Sequence, residues 1–461
     1  MNLIDLSIVL LFLLITFIIG IIDRKKITLE DYWVNGRRTG TIFLIATIFS
    51  TFIGVGAILG HAGIAFSGGG LATFLLPLSF LAYFLIFYKF FAPKIREFGD
   101  KQLAYTMPDF LEARYSPRVR VIGAIVNLIT FSLYVALQIL GIGIFVNTLT
   151  GFNPTIATII GGAIVITYTS IGGLRADIRT DIFQSIIMLS LLFIFLPILI
   201  IKGGGINTIA SLPKEFLIGK DFAPLYVIIF AFFFGGAGVL ASADLWQRAY
   251  SAKNKESIRK SGIVTTILIF LFIAMAVLFG IYGKILLPDS SSNTIVADLL
   301  RNFVPVGLYG LILAGFFAAI MSSADTMILI NSMTLVRDIY QKTMRKELNH
   351  KKVLKLSRKV TVIVGTLGLI IALLVFNIVH LAIEAITFYV VLLPSIIFGF
   401  YWKKANSKAA FWSILIGLIV LIAFLFISPI QAFIPATIVS FITFILIVLV
   451  NKQSKEITWH G

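Results

Sequence analysis

Cysteine is absent from this 461-residue sequence, which removes disulfides, thiolate metal sites and cysteine nucleophiles together. The same absence leaves the redox compartment unreadable. Charge is scarce: 13% of residues are Asp, Glu, Lys or Arg, against 59% that are hydrophobic. Acids are the scarcer sign, 21 against 38 bases, for a net charge of +17. The compact catalytic signatures are missing, with no HExxH, no Walker A loop and no GxSxG elbow, so no enzyme activity is expected. Polar segments long enough for a soluble domain are lacking too, the longest loops running to about twenty residues. What fills the sequence is apolar runs, the composition of a polytopic protein whose partner is the lipid bilayer.

Hydropathy places thirteen spans at about 3–22, 41–66, 70–92, 119–147, 153–172, 180–201, 222–247, 262–284, 304–335, 357–377, 379–401, 408–428 and 430–451. The first has the length of a signal peptide, but it carries Asp5 and no base, and DRKK follows it directly. It therefore reads as a retained span with the N-terminus outside. With that orientation 33 of the 38 Lys and Arg fall in cytoplasmic segments, among them Arg175, Arg179 and the stretch 248–260. Only Lys202, Lys214, Lys220, Lys284 and Arg301 face the other way. The basic charge is thus a topology signal, with no nucleic-acid partner expected and the C-terminus cytoplasmic. The expected location is a bacterial cytoplasmic membrane.

One apolar run holds oxygen where oxygen is expensive. Residues 315–340 read GFFAAIMSSADTMILINSMTLVRDIY, with Ser322, Ser323, Asp325 and Thr326 near the middle. A carboxylate inside a span costs a few kcal/mol on insertion scales, so Asp325 is expected to face protein or a wet cavity and to have a partner. On a helix Ser322, Asp325 and Thr326 stand at i, i+3 and i+4 and share a face suited to a hard cation. Serine and threonine that bond back to their own helix are the ordinary alternative for the hydroxyls.

Two spans are interrupted by glycine. Within 50–63, STFIGVGAILGHAG, Gly54, Gly56, Gly60 and Gly63 weaken the helix close to mid-membrane, although Gly56 and Gly60 also form a GxxxG packing pair. Gly235, Gly236 and Gly238 interrupt the seventh span in the same way. Four intact spans lie between, as expected for two five-helix repeats of inverted topology whose broken first helices meet at the midplane. The division is then 1–40 for a leading helix and loop, 41–202 and 203–405 for the repeats, and 406–461 for two trailing helices and a short tail. Asp181, one turn inside the sixth span, is read either as a capping or snorkelling acid or as an acid on an ion's exit path.

Several motifs together resemble the sodium/solute symporter family: EDYWVNGRR at 30–38, MPDFLEARYSPRVR at 107–120, GGLRADIRTDIFQ at 172–184, DLWQRAYSAKN at 244–254, and AAIMSSADTM with LVRDIY between 318 and 340. The resemblance covers roughly 24–404. It implies an all-α membrane protein of the LeuT type, a five-plus-five inverted-repeat core with one leading and two trailing helices. It also implies a main sodium site built from the carbonyls of Ser50, Ile53 and Ala319 and the hydroxyls of Ser322 and Ser323. A second site, for sodium or a proton, would use Asp181 with Asp325 and Thr326. A carboxylate at 325 departs from the hydroxyl that the pattern carries there. Sialic acid transporters of the family hold a carboxylate with an arginine in the fourth span, where this sequence offers Asn127 and Gln138. Sugar carriers surround their ligand with polar side chains, and 52–59 has none. The expected solute is therefore small and neutral or zwitterionic, with Phe52, Gly56, His61, Gln138, Ser242, Asp244, Thr387 and Tyr389 as candidate contacts.

These expectations converge on sodium-coupled symport of a small organic solute into the cell by alternating access, with a monomer as the functional unit. The rivals are a proton-coupled carrier relaying through Asp181 and Asp325, a symporter-like sensor, which a short tail disfavours, and a passive channel.

Overall fold

The computed structural model describes residues 2–22, 27–220, 222–344, 349–375 and 377–451. Arg24 to Lys26, Arg345, Lys346, Lys452 and Lys455, counted above among the loop bases, lie outside the described residues, as does the tail after Asn451. Among the described residues the regular structure is helical, apart from one isolated bridge between Thr39 and Ala252.

The elements that position the site are α1 (Leu3–Ile21), α2 (Thr41–Phe52), α3 (Gly56–Gln102), α4 (Pro117–Thr150), α5 (Pro154–Lys202), α6 (Leu225–Phe234), α7 (Ala243–Ser251), α8 (Lys255–Leu286), α9 (Leu308–Met333), α10 (His350–Leu374), α11 (Ile378–Thr387), α12 (Leu393–Tyr401), α13 (Ser407–Ile427) and α14 (Phe433–Val450). Among the described residues, length and composition alone give nine crossings, or ten if the bent pair α6 and α7 counts as one. Thirteen is reached by counting the two halves of α3 and of α5 separately and adding the short pair α11 and α12. Both long stretches do break at glycine, α3 at Gly68 and Gly70 and α5 at Gly173, all with positive φ. Gly173 is needed twice over, since its φ is +63° and a Cβ there would sit 2.3 Å from the Tyr32 ring.

Burial sorts the helices into centre and periphery. The apolar window of the helix that begins with α9 is 89% buried, against 28% for each of α1, α13 and α14. An apolar side chain gains little by leaving lipid, so α9 is central because its small and polar residues find partners there. Its first turn is held from outside the helix: buried Asp5 accepts the N–H groups of Gly307 and Gly310, both at 2.8 Å, and caps the otherwise orphan donors. The starts of α1 and α9 thus share one face. At the periphery α13 and α14 pack on each other where Ser413 donates to the Ser440 carbonyl at 2.8 Å.

The opposite, basic face is a plate of short helices. Thr28 and Asp31 form a capping box, as do Thr106 and Asp109. Arg114 donates to the carbonyls of Gly399, Trp402 and Ala405, satisfying the end of α12. Asp109 pairs with Arg337 at 3.2 Å and Lys342 at 2.5 Å. Burial alone would raise its pKa, and these two cations hold it below the ordinary carboxylate range. Much of what makes the sequence motifs recognisable therefore builds this plate.

Candidate functional site

The α2 helix stops at Phe52, and Ile53 leaves helical geometry with φ −90° and ψ 78°. The last carbonyls of α2 lose their helical donors there, and α9 supplies new ones. Ser322 Oγ donates to the Ser50 carbonyl at 2.9 Å and lies 3.1 Å from the Ala319 carbonyl. Ser323 Oγ reaches the Thr51 carbonyl at 2.8 Å and the Ala319 carbonyl at 3.0 Å. Ser50, Ala319, Ser322 and Ser323 thus come together as expected, and all are fully buried. Ile53 is the cap residue where α2 ends, and the second α2 carbonyl that the serines reach is that of Thr51, absent from the expected set. Each hydroxyl keeps lone pairs beyond the proton it donates, so the two serines and the carbonyls they reach are oxygen donors of the type that a small hard cation takes. Close approach at the break requires Gly54, where a Cβ would sit 2.5 Å from Ser323 Oγ and 2.7 Å from Gln138 Oε1.

Beside this pair lies a second cluster that the sequence shows only in part. Thr326 and Asp325 of α9 and Asp181 of α5 meet there, as expected, but around a cation assigned above to a cytoplasmic loop. Arg248 of α7 is 1% exposed. Its guanidinium donates to Asp177 at 2.8 Å, Thr326 at 2.7 Å, and Thr47 and Thr51 at 3.1 Å. Asp181 lies 3.8 Å from it and accepts from the Thr47 hydroxyl. Asp181 is therefore neither snorkelling nor capping: it is fully buried. Asp325 accepts from the Tyr168 hydroxyl at 3.1 Å and from its neighbour's backbone, the Thr326 N–H, at 2.9 Å. Thr47, Asp177, Tyr168 and Arg248 were missed. The one readable signal was spacing, since Asp177 precedes Asp181 by a helical turn; Arg248 was masked because hydropathy windows treat arginine as a boundary.

Above these clusters a cavity of about 210 Å³ opens away from the basic face, toward Phe222, Val227, Ile430 and Phe433. Seven of the eight candidate solute contacts line it: Phe52, Gly56, His61, Gln138, Ser242, Asp244 and Thr387. Tyr389 is buried behind the wall. Two of the seven are also structural, for Gln138 Oε1 accepts the freed N–H of Val55 at 2.9 Å and His61 Nδ1 lies 3.1 Å from the Gly56 carbonyl. The second interruption lines the cavity as well: α6 gives way at Gly235 and Gly236 to a 3-10 turn, Ala237–Ala241, and the chain bends by 46° at Ser242 into α7. Gly236 there donates to Ser79 Oγ at 2.9 Å, with a Cβ-to-backbone distance of 2.7 Å that excludes any side chain.

The family model for the sodium:solute symporter family matches residues 32–417. The chain belongs to that family. This symporter is 26% identical to the sodium/pantothenate symporter of Escherichia coli over 427 residues, 86% of this chain and 84% of the relative. It is likewise 26% identical to the high-affinity proline transporter PutP of Bacillus subtilis over 421 residues, 86% of each. A solved structure of a Na+-coupled sialic acid symporter, substrate-bound and outward-open, matches with a TM-score of 0.83 over 99% of both chains at 18% identity. MhsT in complex with L-phenylalanine matches with a TM-score of 0.51, over 88% of this chain and 98% of that one at 13% identity. At such identities the likeness establishes the fold, all-helical and of the LeuT type. The symporter is a multi-pass membrane transporter and not an enzyme, and its family couples solute transport to sodium.

Proposed function

We propose that this symporter carries a small organic solute, neutral overall or zwitterionic, into the cell together with sodium. Sodium is bound by the carbonyls of Ser50, Ile53 and Ala319 and the hydroxyls of Ser322 and Ser323. The observation that carries this reading is the pair of serine hydroxyls on α9 that reach the freed carbonyls of the broken α2. An ion held between the two elements fixes the shape of the break, and the same break forms one wall of the solute cavity. Sodium and solute then favour the same state, which is the requirement for coupling. A charge moving inward gains roughly 2.3 kcal/mol per 100 mV in addition to the concentration gradient.

The Arg248 cluster ties α2, α5, α7 and α9 together on the side away from the cavity mouth. In this reading it seals the cytoplasmic exit of an outward-facing state and must come apart before release inward. Asp181, Asp325 and Thr326 therefore serve the seal first, with a second cation admitted only when the guanidinium withdraws. Proton coupling is the second reading, favoured by the burial of Asp177, Asp181 and Asp325 together. Reconstituted vesicles separate the two. An inward sodium gradient at equal pH is expected to drive saturable accumulation that potassium does not support, whereas accumulation driven by a pH gradient in potassium would favour protons.

A further inference from the structure

Among the described residues that line the cavity none is lysine or arginine, His61 is the only titratable base and the only acid is Asp244. It is 6% exposed, in the first turn of α7, with the Ser242 hydroxyl bonded to it. An acid in the first turn of a helix is ordinary at a surface, where water and the helix dipole suffice. Here the surroundings are apolar, and a carboxylate in them is costly without a compensating charge. The nearest base, Arg248, stands one turn further along α7, but its guanidinium is committed to Gln247, Thr47, Thr51, Asp177 and Thr326, and no ion pair joins it to Asp244. The cavity that Asp244 lines is the open approach by which a compensating charge can reach it. Aromatic side chains are prominent in the rest of the lining, among them Phe52, Phe80, Phe131, Tyr134 and Phe234. Aromatic faces around an acid attract an organic cation by their quadrupoles as well as by burial.

We propose that the solute bears an organic ammonium group and that Asp244 receives it, with the aromatic walls enclosing the alkyl substituents. The assignment rests on the transport reading above and replaces its solute class, neutral or zwitterionic, by one defined by an ammonium group, with or without a carboxylate. It is tested with the full chain in detergent, by thermal unfolding in sodium chloride with choline, its uncharged isostere 3,3-dimethyl-1-butanol, glycine betaine, L-alanine, myo-inositol and propionate at matched concentration. The expected result is stabilisation by one or more ammonium compounds, none by the other three, and at least a tenfold weaker apparent affinity in Asp244→Asn. Sodium alone should still stabilise Asp244→Asn as it does the native chain, which shows that the variant folds and that the ion site is separate. Stabilisation by the alcohol, inositol or propionate overturns the assignment, as does an ammonium response equal in Asp244→Asn or a panel in which no ammonium compound acts. Loss of the sodium response in Asp244→Asn would place an inorganic ion at Asp244 and also overturn it. Absence of any sodium response in the native chain would instead contradict the sodium site itself.

Discussion

At residue scale the ion site depends on an atom that is not there. Gly54 leaves room for Ser323 Oγ and the Gln138 amide, both of which a Cβ would meet at under 3 Å. Gly54→Ala is expected to push these groups apart, lowering stability by about 1–3 kcal/mol as overpacking does and weakening sodium at least about tenfold. A sodium titration followed by thermal unfolding measures both effects; native sodium affinity in Gly54→Ala would contradict the geometry. The serine pair was readable because hydroxyls and a carboxylate interrupt an apolar run. Arg248 was not, because what makes its burial tolerable lies at positions 47, 51, 177 and 326, far from it in the chain. The identity of such partners is a property of the fold.

At the scale of elements, the two glycine breaks carried most of the information. The break after Phe52 and the one from Gly235 to Ser242 frame one cavity, so the interruptions were legible even though their exact contacts were not. Gly56 shows why packing and function could not be separated from sequence: it lines the cavity, yet a Cβ there would also lie 3.2 Å from Leu137 and 3.7 Å from Ala382. Gly60 faces the same Ala382. Gly56→Leu should fill the cavity and abolish uptake while the protein still inserts and still responds to sodium, whose ligands lie on the other side of the break. Uptake at the native rate by a well-inserted variant would reduce Gly56 to a packing residue. The short helices of the basic face were not separable from loops in the sequence, since they are too brief to show a period and are held by Arg114, Asp109 and their partners.

For the whole molecule, the lack of cysteine makes sidedness simple to test. Phe222→Cys, at the cavity mouth, should react with a membrane-impermeant maleimide added outside intact cells, and faster in sodium than in potassium. Lys255→Cys, on the basic face, should react only after the membrane is opened. The reverse pattern would invert the topology. The central claim is that sodium joins α9 to the broken end of α2. Thermal unfolding of the purified symporter in sodium chloride against equimolar potassium chloride tests it most directly, because an ion that binds only the folded state stabilises by about 2.7 kcal/mol when present at a hundred times its dissociation constant. The native chain should gain stability in millimolar sodium, and the double variant Ser322→Ala with Ser323→Ala should lose most of that gain while remaining folded in potassium. An undiminished sodium response in the double variant would contradict the account.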